Sequence, residues 1–371
     1  MATLTASETL ALEELHQAAQ SRLGLLAAYL SLAEWETVSA LNAAATAAEW
    51  LARSLRVIAA IRKMSRDLAI SYYQLSRALE TGRTLGVPEG STGDVTLGDL
   101  RKNFRDNVLD IASLPSTRTR SDDPDIRWFE ETLRAQDDRD AENSRSIRIA
   151  EVRVEPLIQN LMDVEDGDDS LPIQIDKYEW PEAMSFEEVE DAYRNLLRKQ
   201  AVDHSADAAK KIRADEDLTP DLAFTQIEVA HAAAGSIGSG TVDAAGMEGG
   251  REVINQAIRK DRLVKAVARG TSTDPCAFCA MLASRGFVYK SEKTAYVGDD
   301  VEKVHINCHC FPIVRWTRET ELPEMNAYFQ EKWREVTAGY SGQDAVKAWR
   351  RWIYAQRKAN PSAPHGARKT K

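Results

Sequence analysis

Apolar residues recur every three or four positions between about Ser7 and Glu80, in an alanine-rich background with few glycines or prolines. The two stripes are Leu23, Leu26, Leu30 and Ala33, then Leu55, Ile58, Ile61 and Met64. Residues at this spacing lie on one face of an α-helix. The pattern therefore predicts a helical hairpin, or a pair of long helices that pack on each other, rather than a helix reserved for a partner.

Turn-forming and charged residues divide the middle of the chain into shorter helical patterns. The run from Gly82 to Gly98 contains several glycines and a proline, which ends the first pattern. Phe129 and Leu133 then mark one side of a helix that follows a group of aspartates. A capping-box signature, Ser185 with Glu188 three residues later, predicts the start of another helix.

Two helices are predicted between Ser185 and the cysteines. The helix after the capping box is expected to bury Phe186, Val189, Tyr193 and Leu196. A further helix is predicted near Pro220 to Ala234, and the glycine-rich run 235–240 is interpreted as a linker or a turn between helices. This run has no preceding strand and no following Gly-Lys-Ser/Thr, so a phosphate-binding loop is not indicated. Helix predominates up to about Lys265.

Composition and charge narrow the class of protein. The 371-residue chain is 43% hydrophobic and 29% charged, as in soluble globular proteins of two or three domains. Its net charge of −10 argues against a general nucleic-acid-binding surface. No N-terminal basic stretch precedes an apolar core, and the apolar run from Leu23 to Leu32 is too short to span a bilayer. We therefore expect synthesis in a cytoplasm and no membrane association.

All four cysteines lie in one window, which begins with the Cys-x-x-Cys pair Cys276 and Cys279 and ends with Cys308 and Cys310. A Cys-x-x-Cys turn directs two thiolates to one centre, which suits tetrahedral zinc. With His305, the window offers five donors for four positions. We predict a structural zinc ion held by four of these five side chains, and the sequence leaves open which four.

Short elements are predicted around the donors. A short helix over 280–284 and strands over 287–289 and 311–316 would make a small α+β unit like a zinc ribbon or a treble clef. His309 is expected to point away from the neighbouring cysteines, although it can replace His305 as a ligand. The isolated His16, His204 and His365 are expected at the surface, and the tryptophans after residue 315 are expected in the core.

Other cysteine chemistries fit this window less well. Paired disulfides suit the spacing, but a protein made in a cytoplasm meets reducing conditions. A redox Cys-x-x-Cys, or a Cys/His hydrolase with His305 as the base, leaves the remaining thiols unused. Zinc deaminases share the Pro-Cys-x-x-Cys half but need an upstream His-x-Glu, whereas His231 is followed by two alanines.

A longer pattern surrounds the donors. It runs Asp274-Pro275-Cys276-x-x-Cys279-Ala280-Met281-Leu282-Ala283-Ser284-Arg285-Gly286, then Val288-Tyr289-Lys290-Ser291, then His305-x-x-Cys308-x-Cys310, with Gly246, Gly249, Gly250 and Arg251 upstream. This pattern resembles the C-terminal module of phage minor head proteins of the Mu F type, in particular an actinobacteriophage group often described as capsid maturation proteases. The resemblance is clearest from Pro220 to Trp316.

The resemblance implies a minor capsid protein of head morphogenesis that acts in procapsid assembly, at the portal or the inner shell. Its partners would be the portal and the major capsid or scaffold proteins. It would lie in the host cytoplasm during assembly and inside the virion head afterwards. The alternative is a capsid maturation protease that processes capsid or scaffold proteins. Enzymatic activity is left open, because the chain has no Gly-x-Ser-x-Gly elbow and only Ser236 and Ser239 lie near His231 in sequence.

The C-terminal end is basic. No acidic residue follows Asp344, and the cations are Lys347, Arg350, Arg351, Arg357, Lys358, Arg368, Lys369 and Lys371. Apolar residues from Ala345 to Ile353 predict an amphipathic helix whose other face carries these charges. This face is either a solvated surface or a contact with packaged DNA or with acidic surfaces of the portal or capsid.

We predict a mainly α protein with a long helical N-terminal half and a small α+β metal-binding module near the C-terminus. The predicted divisions are a helical hairpin over 1–82, a charged linker with helices over 83–184 and a helical region over 185–265. The Cys/His metal-binding module then covers 266–320, and C-terminal helices with the basic tail cover 321–371.

Overall fold

The computed structural model describes residues 6–87, 94–114, 122–142, 169–271, 275–288, 309–317 and 321–359. Within these ranges helices predominate, and the strands form two-stranded sheets. The mainly α class predicted from the sequence is therefore confirmed. In the same ranges, no helix is both long enough and apolar enough to cross a membrane.

The N-terminal part folds as the predicted helix pair. Its helices are α1 (Ala6–Trp35), a single turn α2 (Ala43–Thr46) and α3 (Ala48–Thr81). α1 and α3 pack against each other, and both predicted stripes supply buried residues to the contact. α3 ends at Gly82, whose φ of 69° is the left-handed conformation that closes a helix without a Cβ clash.

The middle of the chain adds helices and a strand pair to this body. The elements are β1 (Arg83–Leu85), α4 (Leu97–Ala112), α5 (Pro124–Glu142) and β2 (Gln174–Asp176). β1 and β2 pair in parallel, and α4 and α5 both pack on α3. Phe129 and Leu133 of α5 are buried, as the sequence predicts.

The next elements are α6 (Phe186–Leu197), a π-helical turn (Arg198–Asp203), α7 (His204–Arg213) and α8 (Pro220–Lys260). The capping box of Ser185 and Glu188 is present at the start of α6. The expectation that Leu196 is buried is wrong, since it is exposed and Leu197 is buried instead. Leu197 lies two four-residue steps after the buried Val189, so these two share the face that meets the core.

The interpretation of the glycine-rich run 235–240 as a linker or turn is also wrong. α8 begins at Pro220, as predicted, but continues without a break through this run. Its glycines let other helices approach closely: a Cβ on Gly249 would lie 2.2 Å from the carbonyl oxygen of Arg62 on α3. α8 packs on both α1 and α3, so these three long helices build the centre of the molecule.

The remaining elements are β3 (Ala266–Gly270), α9 (Ala277–Ala283), β4 (Phe311–Arg315), α10 (Glu324–Val336) and α11 (Gly342–Ala359). β3 and β4 pair antiparallel, with Gly270 opposite Phe311. The predicted strand over 287–289 is not formed at Phe287 or Val288, and its last residue lies outside the described residues. The true partner, β3, is buried at almost every position, so it lacks the alternation that reveals strands in a sequence.

The apolar side chains form one large core and a smaller one beside it. The large core includes residues of α1, α3, α8 and both strands of the β3–β4 ribbon. The smaller core joins α9, α10 and α11, and its buried members are Ala277, Ala280, Ala283, Phe329, Trp349 and Ile353. We call this smaller cluster the satellite core. The domain divisions proposed from the sequence stay a prediction.

His16 corrects a prediction, because it is 2% exposed rather than at the surface. Its ring stacks on Tyr72 at 4.1 Å between centroids and meets the edge of Phe311 at 5.1 Å. Burial lowers the pKa of His16 to about 3, so the ring is neutral in the folded protein. His204 is exposed as expected, and His365 lies outside the described residues.

Candidate metal centre

The Cys-x-x-Cys pair begins helix α9. Cys276 is the residue before the helix, in an extended conformation, and its Sγ accepts a hydrogen bond from the backbone N–H of Cys279 at 3.2 Å. A serine in this position would cap a helix in the same way. The pair is therefore held in a defined turn by the start of the helix, with Cys279 buried and Cys276 half-buried.

Cys310 reaches the same place from the strand β4. It directly precedes Phe311, which pairs with Gly270, so it lies at the end of the ribbon from which the chain leads to α9. Cys310 and Cys279 are each 1% exposed and pack in one cluster, which Cys276 joins. The structure thus brings together three of the predicted donors.

The other two predicted donors, His305 and Cys308, lie outside the described residues. Taken alone, the described part of the chain has no group of three or more His, Cys, Asp or Glu side chains that could hold a metal ion. A zinc ion here would therefore need a ligand from residues 305–308 in addition to the cysteine cluster. Clustered sulfur donors are the set that zinc prefers in structural sites, and the metal centre stays a prediction.

A residue that sequence reasoning missed binds His309. Nε2 of His309 donates to the carboxylate of Asp243 on α8, at 2.8 and 3.0 Å from its two oxygens. Asp243 is 1% exposed, and it is the only charged residue between positions 232 and 247. A single carboxylate in so apolar a run indicates a buried polar partner, because a buried charge is costly without one. This pattern is the sequence signal that could have identified Asp243. His309 thus turns to α8 rather than to the cysteine cluster, as expected.

Arg251 of α8 contacts the next residue, Cys310, which directly precedes β4. Its Nε donates to the carbonyl oxygen of Cys310 at 3.0 Å, and its guanidinium lies 5.3 Å from the ring centre of Phe311. On the α1 side, the Gln17 side chain donates to the carbonyl oxygen of His309. The residues just before β4 are therefore held by both α1 and α8.

The far end of β4 has its own buried polar contacts. Trp316 Nε1 donates to Asp261 at the end of α8 at 2.7 Å, and Arg77 donates to the same carboxylate at 2.8 Å. Arg315 forms a buried ion pair with Glu13 of α1. Burial raises the pKa of Glu13 to about 7, and Arg315 acts in the opposite direction.

Comparison with known proteins gave one family match, which covers part of the chain. Residues 176–336 match the family model described as VG15 protein. This match supports a phage protein associated with the virion. The matched segment runs from β2 to α10, so it includes α8, the β3–β4 ribbon and the cysteine cluster. No curated protein and no solved structure gave a match.

The Ser/His pair of this phage protein differs from the one considered in the sequence. His231 Nδ1 lies 2.9 Å from the Oγ of Ser205 on α7, whereas Ser236 and Ser239 bond to carbonyl oxygens of their own helix. Ser205 is 2% exposed, and the ring of His231 stacks on Trp35 at 4.7 Å. A nucleophile must reach its substrate, so this pair is a packing contact between α7 and α8.

Proposed function

We propose that this chain is a minor capsid protein of phage head morphogenesis, acting in procapsid assembly at the portal or the inner shell. The observation that carries the proposal is the VG15 match over 176–336, which contains the segment that resembles Mu F-type head proteins. Within that segment, Cys276, Cys279 and Cys310 converge at the junction of the ribbon and α9. The partners we propose are the portal and the major capsid or scaffold proteins.

The proposed role is binding, with zinc serving structure. Four of Cys276, Cys279, His305, Cys308 and Cys310 would hold the ion, and a closed shell of four protein ligands leaves no position for a reacting water. An ion at this junction would tie the β3–β4 ribbon of the large core to α9 of the satellite core. Elemental analysis of protein purified without chelator should find one zinc per chain, and an absence of stoichiometric metal would contradict this part of the proposal.

Co-expression with the portal, major capsid and scaffold proteins tests the assembly role. We expect the chain to co-sediment with procapsids, and we expect the capsid and scaffold chains to keep their full length. Procapsids that form but never contain the chain would contradict the proposal. Cleavage of capsid or scaffold that depends on this chain would instead favour the alternative, a capsid maturation protease.

A contact with packaged DNA belongs to the same proposal. On α11 the side chains of Lys347, Arg350, Arg351 and Lys358 are exposed, while the opposite face enters the satellite core. A helix held in this way presents its cations at fixed positions, which suits the phosphate backbone of nucleic acid. The rest of the chain is acidic and would be repelled by DNA, so the protein would approach DNA with this basic helix first.

A further inference from the structure

Two consecutive residues before β4 are each held by α8. His309 donates to Asp243 through its side chain, at 2.8 and 3.0 Å, and Cys310 accepts from Arg251 through its carbonyl oxygen, at 3.0 Å. Asp243 and Arg251 are 1% and 3% exposed, so neither contact competes with bulk water. Both residues lie in a helix of the large core, far in sequence from the residues they contact.

The same stretch sends neighbouring side chains to opposite sides. His309 and Phe311 turn to α8, where Phe311 lies under the guanidinium of Arg251. Cys310, between them, packs with Cys279 of α9. This alternation is that of an extended strand. Whatever fixes His309 on one side therefore also fixes the direction of the Cys310 sulfur on the other.

The α1 helix is shaped to accept the pair. A Cβ on Gly24 would lie 2.1 Å from Oδ1 of Asp243 and 2.9 Å from Nε2 of His309, which only glycine avoids. Gln17 of the same helix donates to the carbonyl oxygen of His309. The Asp243–His309 pair is thus enclosed between α1 and α8 rather than placed at an open surface.

We propose that Asp243 and Arg251 form a latch that positions Cys310 for the metal centre, with His309 as part of the latch and not as a ligand. This inference rests on the proposed zinc site. It makes Asp243 a positioning residue, which acts on the metal through the backbone of the strand. Residues outside the ligand shell that orient ligands affect metal affinity by about 10- to 100-fold when they are replaced.

Cobalt titration of the full-length, metal-free, reduced chain tests the latch. Cobalt bound by thiolates absorbs through a sulfur-to-metal charge-transfer band, whose intensity and position report the ligand set. We expect Asp243→Asn and His309→Asn to weaken cobalt binding by about 10-fold or more while the spectrum of the saturated protein stays that of the wild type. A spectrum that changes in His309→Asn would show that His309 is a ligand and would overturn the latch.

Asp261→Asn is the matched control for a general loss of stability. Asp261 is also a buried aspartate at α8, but it bonds to Trp316 at the other end of β4. We expect this variant to lower the free energy of unfolding without changing cobalt affinity. Equal losses of cobalt affinity in Asp243→Asn and Asp261→Asn would mean that the effect is only structural and would contradict the latch.

A second variant keeps the test valid if Asp243→Asn does not fold. Gly24→Ala retains every hydrogen-bonding group but forces the Asp243–His309 pair to move. We expect it, too, to weaken cobalt binding with an unchanged spectrum. If the wild type binds no cobalt, the metal centre and the latch both fail. If the wild type binds and all latch variants bind equally well, the latch alone fails.

Discussion

At the scale of single residues, burial changes the pKa of His16 from the value that is ordinary for a histidine. His16 is enclosed by Tyr72 and Phe311, and the Gln20 side chain lies 3.2 Å from its Nε2. In the unfolded chain the same imidazole would titrate near its ordinary value of about 6.5. The folded protein therefore resists protonation of a group that the unfolded chain protonates readily.

This difference predicts a loss of stability in acid. Between pH 6.5 and about 3, the unfolded state holds a proton on His16 that the native state does not, so stability falls as the pH falls through this window. One such proton contributes about 1.4 kcal/mol per pH unit. We expect the free energy of unfolding of His16→Phe, measured by urea unfolding between pH 5.5 and 4, to fall less steeply with decreasing pH than that of the wild type, by about that amount per pH unit.

Two features make the comparison specific to His16. Glu13, whose pKa burial raises to about 7, contributes with the opposite sign, but it is present in both proteins. His204 is exposed, so His204→Phe is the matched control for replacing an imidazole with a phenyl ring away from the core. Parallel profiles for the wild type and His16→Phe would contradict the neutral, buried assignment of His16.

Gly249 leads to a second prediction at this scale. A Cβ there would meet the backbone of Arg62 at 2.2 Å, and a backbone atom cannot move aside as a flexible side chain can. Overpacking of this kind costs about 1–3 kcal/mol, which outweighs the gain in helix propensity. We expect Gly249→Ala to lower the free energy of unfolding, while Ser236→Ala on the same helix leaves it unchanged. A Gly249→Ala protein as stable as the wild type would show that α3 and α8 do not approach each other this closely at Gly249.

At the scale of elements, the cysteine cluster lies where two cores meet. β4 belongs to the large core, whereas α9 contributes Leu282 to that core and packs with α10 and α11 in the satellite core. Asn326 of α10 strengthens this junction by donating to the carbonyl oxygens of Arg269 on β3 and Ala283 on α9. A metal ion bound to cysteines from both sides would cross-link the two cores in addition to these hydrogen bonds.

The junction predicts that Cys276→Ser loosens the satellite core and spares the large one. Serine still caps α9, so the variant removes a proposed metal ligand without removing the cap, whereas Cys276→Ala removes both. In limited proteolysis we expect α9 to α11 to be cut first in Cys276→Ser, with a resistant fragment that retains α1 and α3. The prediction fails if these N-terminal helices are digested as quickly as α9 to α11.

At the scale of the whole molecule, charge is separated along the chain. All 58 acidic residues lie at or before Asp344. The segment that follows contains lysines and arginines but no aspartate or glutamate. On α11, Tyr354 is 61% exposed among these cations, while Trp349 of the opposite face is fully buried. The helix thus offers a basic face with an aromatic ring, which is typical of nucleic-acid contacts.

This surface predicts salt-dependent DNA binding. Each phosphate contact contributes about 0.9 to the slope of log K against log salt concentration on duplex DNA. We expect Arg350→Ala with Arg351→Ala to reduce that slope by about 2 in filter-binding or mobility-shift titrations. The matched control is Lys210→Ala with Lys211→Ala, an exposed adjacent basic pair on α7. If both double variants bind DNA as the wild type does, α11 is a solvated face and nothing more.

The features that could be predicted from the sequence alone are those that depend on near neighbours. The stripes of α1 and α3, the capping box at Ser185 and the start of α8 at Pro220 are readable because helical spacing and capping involve residues a few positions apart. The cysteine spacing likewise located the candidate centre, and the structure gathers Cys276, Cys279 and Cys310 there. These are local patterns, and their physical causes are local.

Features that depend on partners distant in sequence are visible only in the fold. The glycines of α8 suit a linker as well as a close helix crossing, and only the approach of α3 distinguishes the two. β3 shows no alternation because both its faces are buried, and His16 shows no sign of burial in its own neighbourhood. Asp243 and His309 are 66 positions apart, so no spacing rule could pair them. Packing joins residues by distance in space, and sequence patterns report distance along the chain.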